Sequence, residues 1–447
     1  MFNVTTSVST SQRGYARVRW WHAVTGAVAI ALPLSGCAAH GRNTVSQLQE
    51  VDWESVVAVA VMAPQASTNW LGGGGQVTVM NRDGSTAVVS MSAMDVGAAS
   101  WTNHGLIFSD QHHDYLIEGD GSVSAFESLK PDYQDGLVSL DNGTRVGFFN
   151  GGYADDGSYD EVVTTIDHSG STQHRSTEWS QVFAACGNSA YGIAQIIPEG
   201  SPQHTTLSMR ILLSDGKPAD RGIATHTSAF SETAFAAPAV PCLDDEIVFI
   251  SSQDVATGSL NRVPATDSPY RDPDSGFECQ LVNDGYGHLS CPTVERWNVR
   301  TGQRLIVPIQ TTGVPGVDWS ENSAYLARYD QNSLVEGFLY WLHPSGVLLQ
   351  TDISNGHTAT LATLPGTELN LGDFLTGNVD YLVDIQDSVM SVLRFSPNGK
   401  GTFPTEILSY AIPDGALVSR TEFPEFLRDN SANYIVRSIA VNPTLTL

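Results

Sequence analysis

Residues 101–124 read WTNHGLIFSDQHHDYLIEGDGSVS, and two signals in this stretch decide the fold. One is a short polar turn, Thr102 to Gly105, that leads from a short strand into the apolar run LIF. The other is the Asp120-Gly121 turn between two strand-like runs, a strong local signature of a tight β-hairpin. Both signals recur. The polar turn returns in LDNGTRVGFFN from Leu140, CGNSAYGIAQ from Cys186, CLDDEIVFIS from Cys242, WSENSAYLARYD from Trp319, LTGNVDYLVDI from Leu375 and LRDNSANYIV from Leu427. The hairpin returns in VTVMNRDGST, VTTIDHSGST, RILLSDGKPA, RWNVRTGQRL, LQTDISNGHT and SYAIPDGALV, which with the first copy places turn glycines at 84, 121, 170, 216, 302, 356 and 415.

Seven copies of each signal, interleaved, describe seven four-stranded modules with the order strand A, polar turn, strand B, link, strand C, hairpin, strand D. The expected fold is all-β, a seven-bladed β-propeller over residues 51–447. The first hairpin lacks a full set of strands before it, and the last polar turn has no hairpin after it. The segment 434–441 is therefore expected to pair with the N-terminal strands and close one blade, which removes exposed sheet edges. The sequence leaves open whether that blade divides as one strand plus three or two plus two. Two tandem β-sandwiches would explain neither the sevenfold recurrence nor the complementary ends.

In such a ring the A–B and C–D turns share one face, and the B–C and D–A links share the other. The turns are short. Several B–C links are long: 63–75, 151–160, 198–205, 387–404 and, longest, an insertion near 253–291. Long loops on a rigid scaffold are where binding residues concentrate. These links carry Trp70, His112, His113, Tyr153, Tyr159, Tyr270, Tyr286 and His288, with Asp155, Asp156, Asp160, Asp272 and Asp274. Ring faces beside carboxylates suit a sugar, a cationic ligand or a partner protein. Tyr340 and Trp341 are read instead as packing between blades.

DQHHD at 110–114 is the densest cluster of metal-type side chains. His112 and His113 would face opposite sides of a strand and so share an ion only in a loop. ADDGSYDE from Ala154 offers hard oxygens for calcium, yet lacks the Asp-x-Asp-x-Asp-Gly spacing and terminal Glu of a dedicated loop. No metal site and no resident cofactor is expected, with calcium the only candidate. The nucleophile elbow, the Ser-x-x-Lys set, the Walker loop and His-Glu-x-x-His are all missing. The expectation is a non-catalytic ligand- or protein-binding module. Its rival is a glycan-active hydrolase or lyase, or a quinone-dependent dehydrogenase. The first would place two carboxylates in a central funnel, one with a raised pKa; the second would place a tryptophan platform and calcium in the channel.

FSPNGK at Phe395 resembles the strand-turn signature of bacterial propellers with WD40-like and TolB-type repeats, and the Trp101 and Trp319 turns are similar to that family's Trp-Ser turn. WNVRTGQ at Trp297 resembles a quinoprotein repeat, once. Each copy departs from consensus, so the likeness implies a fold and leaves function open.

At the N-terminus, Arg13, Arg17 and Arg19 precede an apolar stretch from Ala23 to Leu34 that is too short to span a bilayer as a helix. Leu34-Ser35-Gly36-Cys37 then resembles a bacterial lipoprotein signal, in which a peptidase cuts before the cysteine and its thiol carries diacylglycerol. The resemblance implies a signal peptide over 1–36, lipidation of Cys37, a polar tether over 37–50 and an exported protein held at the extracytoplasmic side of the membrane. Removing 1–36, which carries three arginines and no acid, takes the formal charge from -26 to -29. Such a surface repels nucleic acid and anionic headgroups, so attachment would come from acyl chains, and the expected partner is an envelope protein, peptide or glycan. Cys186, Cys242, Cys279 and Cys291 remain, an even number that suits disulfides in an exported chain. The pairing Cys279 with Cys291 and Cys186 with Cys242 is expected.

Overall fold

The computed structural model describes residues 36–447 apart from 65–73, 93, 155–157, 197–204, 229–231, 236–238, 256–269, 272–277, 280–281, 284–288, 311–313, 315–316, 318–325, 367–373, 375, 398–402, 427–433 and 445–447. The protein is a seven-bladed propeller. Blade 2 runs Ala99–Thr102, Gly105–Ser109, His113–Ile117, Val123–Glu127 from strand A to strand D. Blade 3 runs Gln134–Ser139, Arg145–Tyr153, Tyr159–Asp167, Gly170–Ser176, and blade 4 runs Val182–Cys186, Ser189–Ile196, Thr205–Ser214, Lys217–Ser228. Blade 5 comprises Cys242–Leu243, Glu246–Val255, Leu289–Asn298 and Arg304–Pro308. Blade 6 comprises Leu334–Val335, Phe338–His343, Val347–Asp352 and Thr358–Thr363, and blade 7 Asp380–Gln386, Val389–Phe395, Glu406–Ala411 and Leu417–Glu422.

Blade 1 closes the ring as one strand plus three. Tyr434–Val441 is its innermost strand and pairs antiparallel with Val56–Pro64, with Ala58 opposite Val441 and Ala60 opposite Ile439. Gln76–Asn81 and Thr86–Ser90 complete it. Asn442 locks the seam: its backbone N–H donates to Val57 O at 2.9 Å and its side chain to Val56 O at 3.1 Å.

Every expected C–D hairpin forms, and all seven of its glycines have φ between 71° and 143°. That region is steeply disfavoured for side-chain-bearing residues, which is why these turns were legible. At Gly356 a second reason applies, since a Cβ there would lie 1.8 Å from Pro308 O on blade 5. Alternation fails in the central strands because both of their faces are covered by neighbouring blades. Trp341 packs toward blade 5 while Tyr340 packs toward blade 7, as expected of inter-blade residues.

Three expectations need correction. The polar turn of blade 6 is Glu336-Gly337, which puts Phe338–His343 in strand B, so the Trp319 segment precedes strand A. Blade 7 turns at Asp387-Ser388, with φ of 47° and 63°, so Asp380–Gln386 is strand A and its B–C link begins after Phe395 instead of at 387. Without a glycine this left-handed pair was passed over, although Asp244-Asp245 of blade 5, with φ of 52° and 64°, makes the same turn and was read. Third, residues 37–50 are no irregular tether: Gly36–Gln49 forms helix α1. Thr44 Oγ1 donates to Ser90 O at 2.7 Å, Gln47 Oε1 accepts from Ser90 N at 2.8 Å, and buried Leu48 joins the core between blades 1 and 2. Two apolar residues one turn apart, Val45 and Leu48, were too few to read as periodicity.

Both disulfides pair as expected. Cys186 to Cys242, with Cα atoms 5.4 Å apart, joins the inner strands of blades 4 and 5. Cys279 to Cys291, at 6.1 Å, pins the insertion to strand C of blade 5. Because strands A to D alternate in direction in each blade, the B–C and D–A links leave from one face. Among the described residues no helix is long and apolar enough to cross a membrane.

Candidate functional site

Three places on or below the long-connection face concentrate polar side chains. The first is DQHHD, the B–C turn of blade 2. Asp110 accepts N–H donors from His112 and His113 at 2.8 Å each, from Ser92 at 3.0 Å, and the Tyr115 hydroxyl at 2.9 Å. Burial opposes its ionisation, but the His113 ring 3.6 Å away and these donors hold its pKa down at about 2. Asp114 pairs with Lys130 at 3.0 Å, both side chains fully buried, and accepts Ser109 and Ser171 hydroxyls. The carboxylates that a metal would need are already engaged by the protein. His112 and His113 belong to a turn that fastens blade 2 to blades 1 and 3.

The second place is the axis. The inner strands of blades 1, 2, 3, 6 and 7 surround a cavity of about 270 Å³. Gln331 of blade 6 reaches across it and accepts from Ser139 N of blade 3 at 2.8 Å. Asp330 and Asp384 line the wall, and burial raises both pKa values, that of Asp384 further because of the neighbouring Asp330 charge. Each also stitches blades together. Asp330 accepts from Ile385 N at 2.6 Å and from Asn332 N at 2.8 Å; Asp384 accepts from Val441 N at 2.7 Å and from the Gln386 amide at 2.8 Å. The tryptophan in this lining, Trp101, is 8 % exposed and packs edge-on against Trp53.

The third place is the rim of blade 3. Strand B ends at Tyr153 and strand C begins at Tyr159, so the link expected over 151–160 is shorter than its sequence suggested. The Tyr153 and Tyr159 rings meet edge-on with centroids 5.2 Å apart, and Tyr159 stacks near-parallel on Trp179 at 5.6 Å. Tyr159 Oη donates to Asn150, and Trp179 Nε1 donates to Asp135 Oδ2 at 2.6 Å. Tyr153 is 83 % exposed and Trp179 36 %. Burial pushes the pKa of Asp135 up to about 6 against the pull of the indole N–H, and Asp135 also lines the axial cavity. Behind the rings, burial pushes Glu161 up to about 8, opposed by the Ser180 N–H that it accepts at 3.1 Å.

Of the sequence candidates, Tyr153 and Tyr159 are brought together here, with Asp160 beside them in an ion pair with Arg175. Tyr270 lies in a short strand, Tyr270–Arg271, paired with Glu278–Cys279. Trp70, Asp155, Asp156, Asp272, Asp274, Tyr286 and His288 lie outside the described residues, as does the side chain of Cys37 and the segment 1–35. Trp179, Asp135 and Asn150 were missed. Trp179 lies in the D–A link of blade 3, and D–A links open on the same face as the B–C links that were searched. That geometric rule was the signal available for finding it.

No protein-family model and no curated protein matches the chain. Among solved structures it is similar to an apocarotenoid oxygenase of Synechocystis (TM-score 0.44, 8 % identity, 82 % of this chain and 89 % of that one). It is also similar to the β-propeller domain of the Trilobed protease from Pyrococcus furiosus (0.43, 10 %, 77 % and 90 %) and to BamB from Moraxella catarrhalis (0.35, 12 %, 77 % and 77 %). What those proteins do is not carried to this chain.

Proposed function

We propose that this protein is an exported lipoprotein, anchored through diacylglycerol on Cys37, whose propeller binds a ligand at its long-connection face and leaves it chemically unchanged. One observation carries the non-catalytic part: the acids on the axis, Asp330 and Asp384, are engaged by backbone N–H groups of the next blade. Recruiting either as nucleophile or general acid would break the seam it holds. The two disulfides suit an oxidising, extracytoplasmic compartment.

The course of α1 supports an orientation. Thr44 is fastened at Ser90, the end of strand D nearest the long connections, whereas Trp53 lies against Gly121 in a hairpin of the opposite face. Followed from Trp53 back toward Cys37, the chain thus climbs to the decorated face. The seven residues 37–43 add about 10 Å of helix beyond it. A lipid there would turn the decorated face toward the membrane, where an envelope protein, peptide or glycan would be met.

The lysines give the test, because Lys217 opens strand D of blade 4 on the short-turn face, Lys400 falls in the B–C link of blade 7, and Lys130 is buried. Intact membranes are labelled with a polar amine reagent, beside a soluble form whose residues 1–37 are exchanged for a cleavable signal without cysteine. Lys400 is expected to react several-fold less on membranes than in solution, and Lys217 equally in both. Equal reaction at both sites would overturn the orientation, and wild-type protein free of the membrane pellet would overturn the anchor. The hydrolase reading retains one observation, the raised pKa values of the axial pair. Oligosaccharide cleavage that disappears in Asp384→Asn would establish it.

A further inference from the structure

We infer that the rim of blade 3 is a subsite for an unbranched, neutral hexopyranose chain, with Tyr153 and Trp179 as its stacking rings; this rests on the binding function above and names its ligand class. Trp179 and Tyr159 have their polar edges tied down, and Tyr153 stands 83 % exposed beside them. Trp179 is held through Asp135 and Tyr159 through Asn150, with Tyr159 filling the space between the two exposed rings. Rings fixed in this way lose little freedom when a ligand packs on them. A pyranose offers an apolar C–H face for such rings and hydroxyls that need partners.

Two buried side chains close in sequence to Asp135 and Tyr159 keep an unused polar atom. Gln134 is 2 % exposed and lines the axial cavity; its Oε1 accepts from Ala98 N at 2.8 Å, which fixes the amide, and its Nε2 has no partner among the described residues. Glu161 is fully buried, and its Oε2 is likewise unpartnered among the described residues. Burial raises its pKa and so favours the protonated carboxyl, which can donate a hydroxyl.

Charge and backbone select the ligand class. Among the described residues the carboxylates beside the rings have partners: Asp160 has Arg175, Asp135 has the Trp179 N–H, and Glu178 has Arg210 at 2.5 Å. Among the described residues no uncompensated charge beside the rings favours a cation, and the acidic chain as a whole repels an anion. Strands B and C of blade 3 are paired on both sides, so there is no free edge to which a peptide could add a strand.

The test titrates the soluble full propeller with neutral hexaoses of β-1,4-glucose, α-1,4-glucose, mannose and N-acetylglucosamine, and with the cationic hexaose of glucosamine, by calorimetry. At least one neutral hexaose is expected to bind, with about tenfold weaker affinity in Trp179→Ala. Tyr153→Ala, whose ring is almost wholly exposed, keeps the test usable should Trp179→Ala fail to fold, and is expected to weaken binding several-fold. The inference is overturned if no neutral hexaose binds, if both variants bind like wild type, or if the glucosamine hexaose binds tighter than its N-acetylated counterpart. Lysine labelling on membranes involves no sugar, so failure here and failure of the anchored orientation are read separately.

Discussion

The B–C turn of blade 2 and the rim of blade 3 hold acids in opposite states. Asp110 is buried but surrounded by donors, and its pKa falls to about 2; Glu161 is buried with one backbone donor, and its pKa rises to about 8. Burial raises the pKa in both, and the number of donors decides the outcome. In the dense sequence cluster the carboxylates are thus already satisfied, and the His113 ring Nδ1 is the buried atom there without a hydrogen bond among the described residues. The dispersed set, Asp135, Tyr153, Tyr159, Glu161 and Trp179, leaves exposed rings and an unpartnered carboxyl oxygen. A site that is to receive something has to keep valences open, so crowding of polar residues along the chain is a poor guide to it.

The largest effect that tests this contrast is Asp110→Ala. It strips the acceptor from the Tyr115 hydroxyl and from the N–H groups of Ser92, His112 and His113. The expected loss is about 3 to 4 kcal/mol in urea unfolding, because buried donors left without acceptors are costly. A loss below about 1 kcal/mol would mean that the turn is held by something other than this carboxylate.

Next comes the pH dependence, in which the two acids pull in opposite directions. The depressed pKa of Asp110 contributes stability above its ordinary value of 3.8 that is lost as pH falls through about 2. The raised pKa of Glu161 works the other way: its contribution is complete below 4.5 and is lost as pH rises through about 8. Glu161→Gln should therefore leave stability at pH 4.5 nearly unchanged and raise it by about 2 kcal/mol at pH 8.5. Thermal unfolding at the two pH values checks this. An equal shift at both would show that Glu161 is ionised throughout, and the neutral-donor role would fall.

The same contrast runs through what could be read from the chain. Asp-Gly, Ser-Gly and Asn-Gly hairpins announce themselves because their backbone demands glycine, and all seven were found in place. Asp387-Ser388 reaches the same left-handed backbone without one, and with the polar turn LTGNVDYLVDI just upstream drawing the strand assignment, blade 7 was read one strand out of step. Helix α1 was hidden for a related reason: it docks through Thr44, Gln47 and Leu48 and needs little apolar surface. At the site, Tyr153 and Tyr159 were legible as aromatics beside a turn. Trp179 was not, because it is brought to them from the next link along the rim. Asp135 was read only as part of a strand, since nothing in its neighbours tells that its carboxylate will meet an indole.

The smallest expected effect is the most discriminating. Tyr153 is 83 % exposed, and its ring meets that of Tyr159 edge-on. Tyr153→Ala should cost under about 0.5 kcal/mol in the same urea unfolding, as surface substitutions do. Such a value would leave the ring with no structural reason to be there, an exposed aromatic fixed beside another and available to a ligand. A cost above about 1 kcal/mol would mean that the ring covers its neighbours more than it presents itself. Blade 3 would then resemble blade 2, with its polar and aromatic groups used internally, and the contrast between the two regions would collapse from the side where it is easiest to measure.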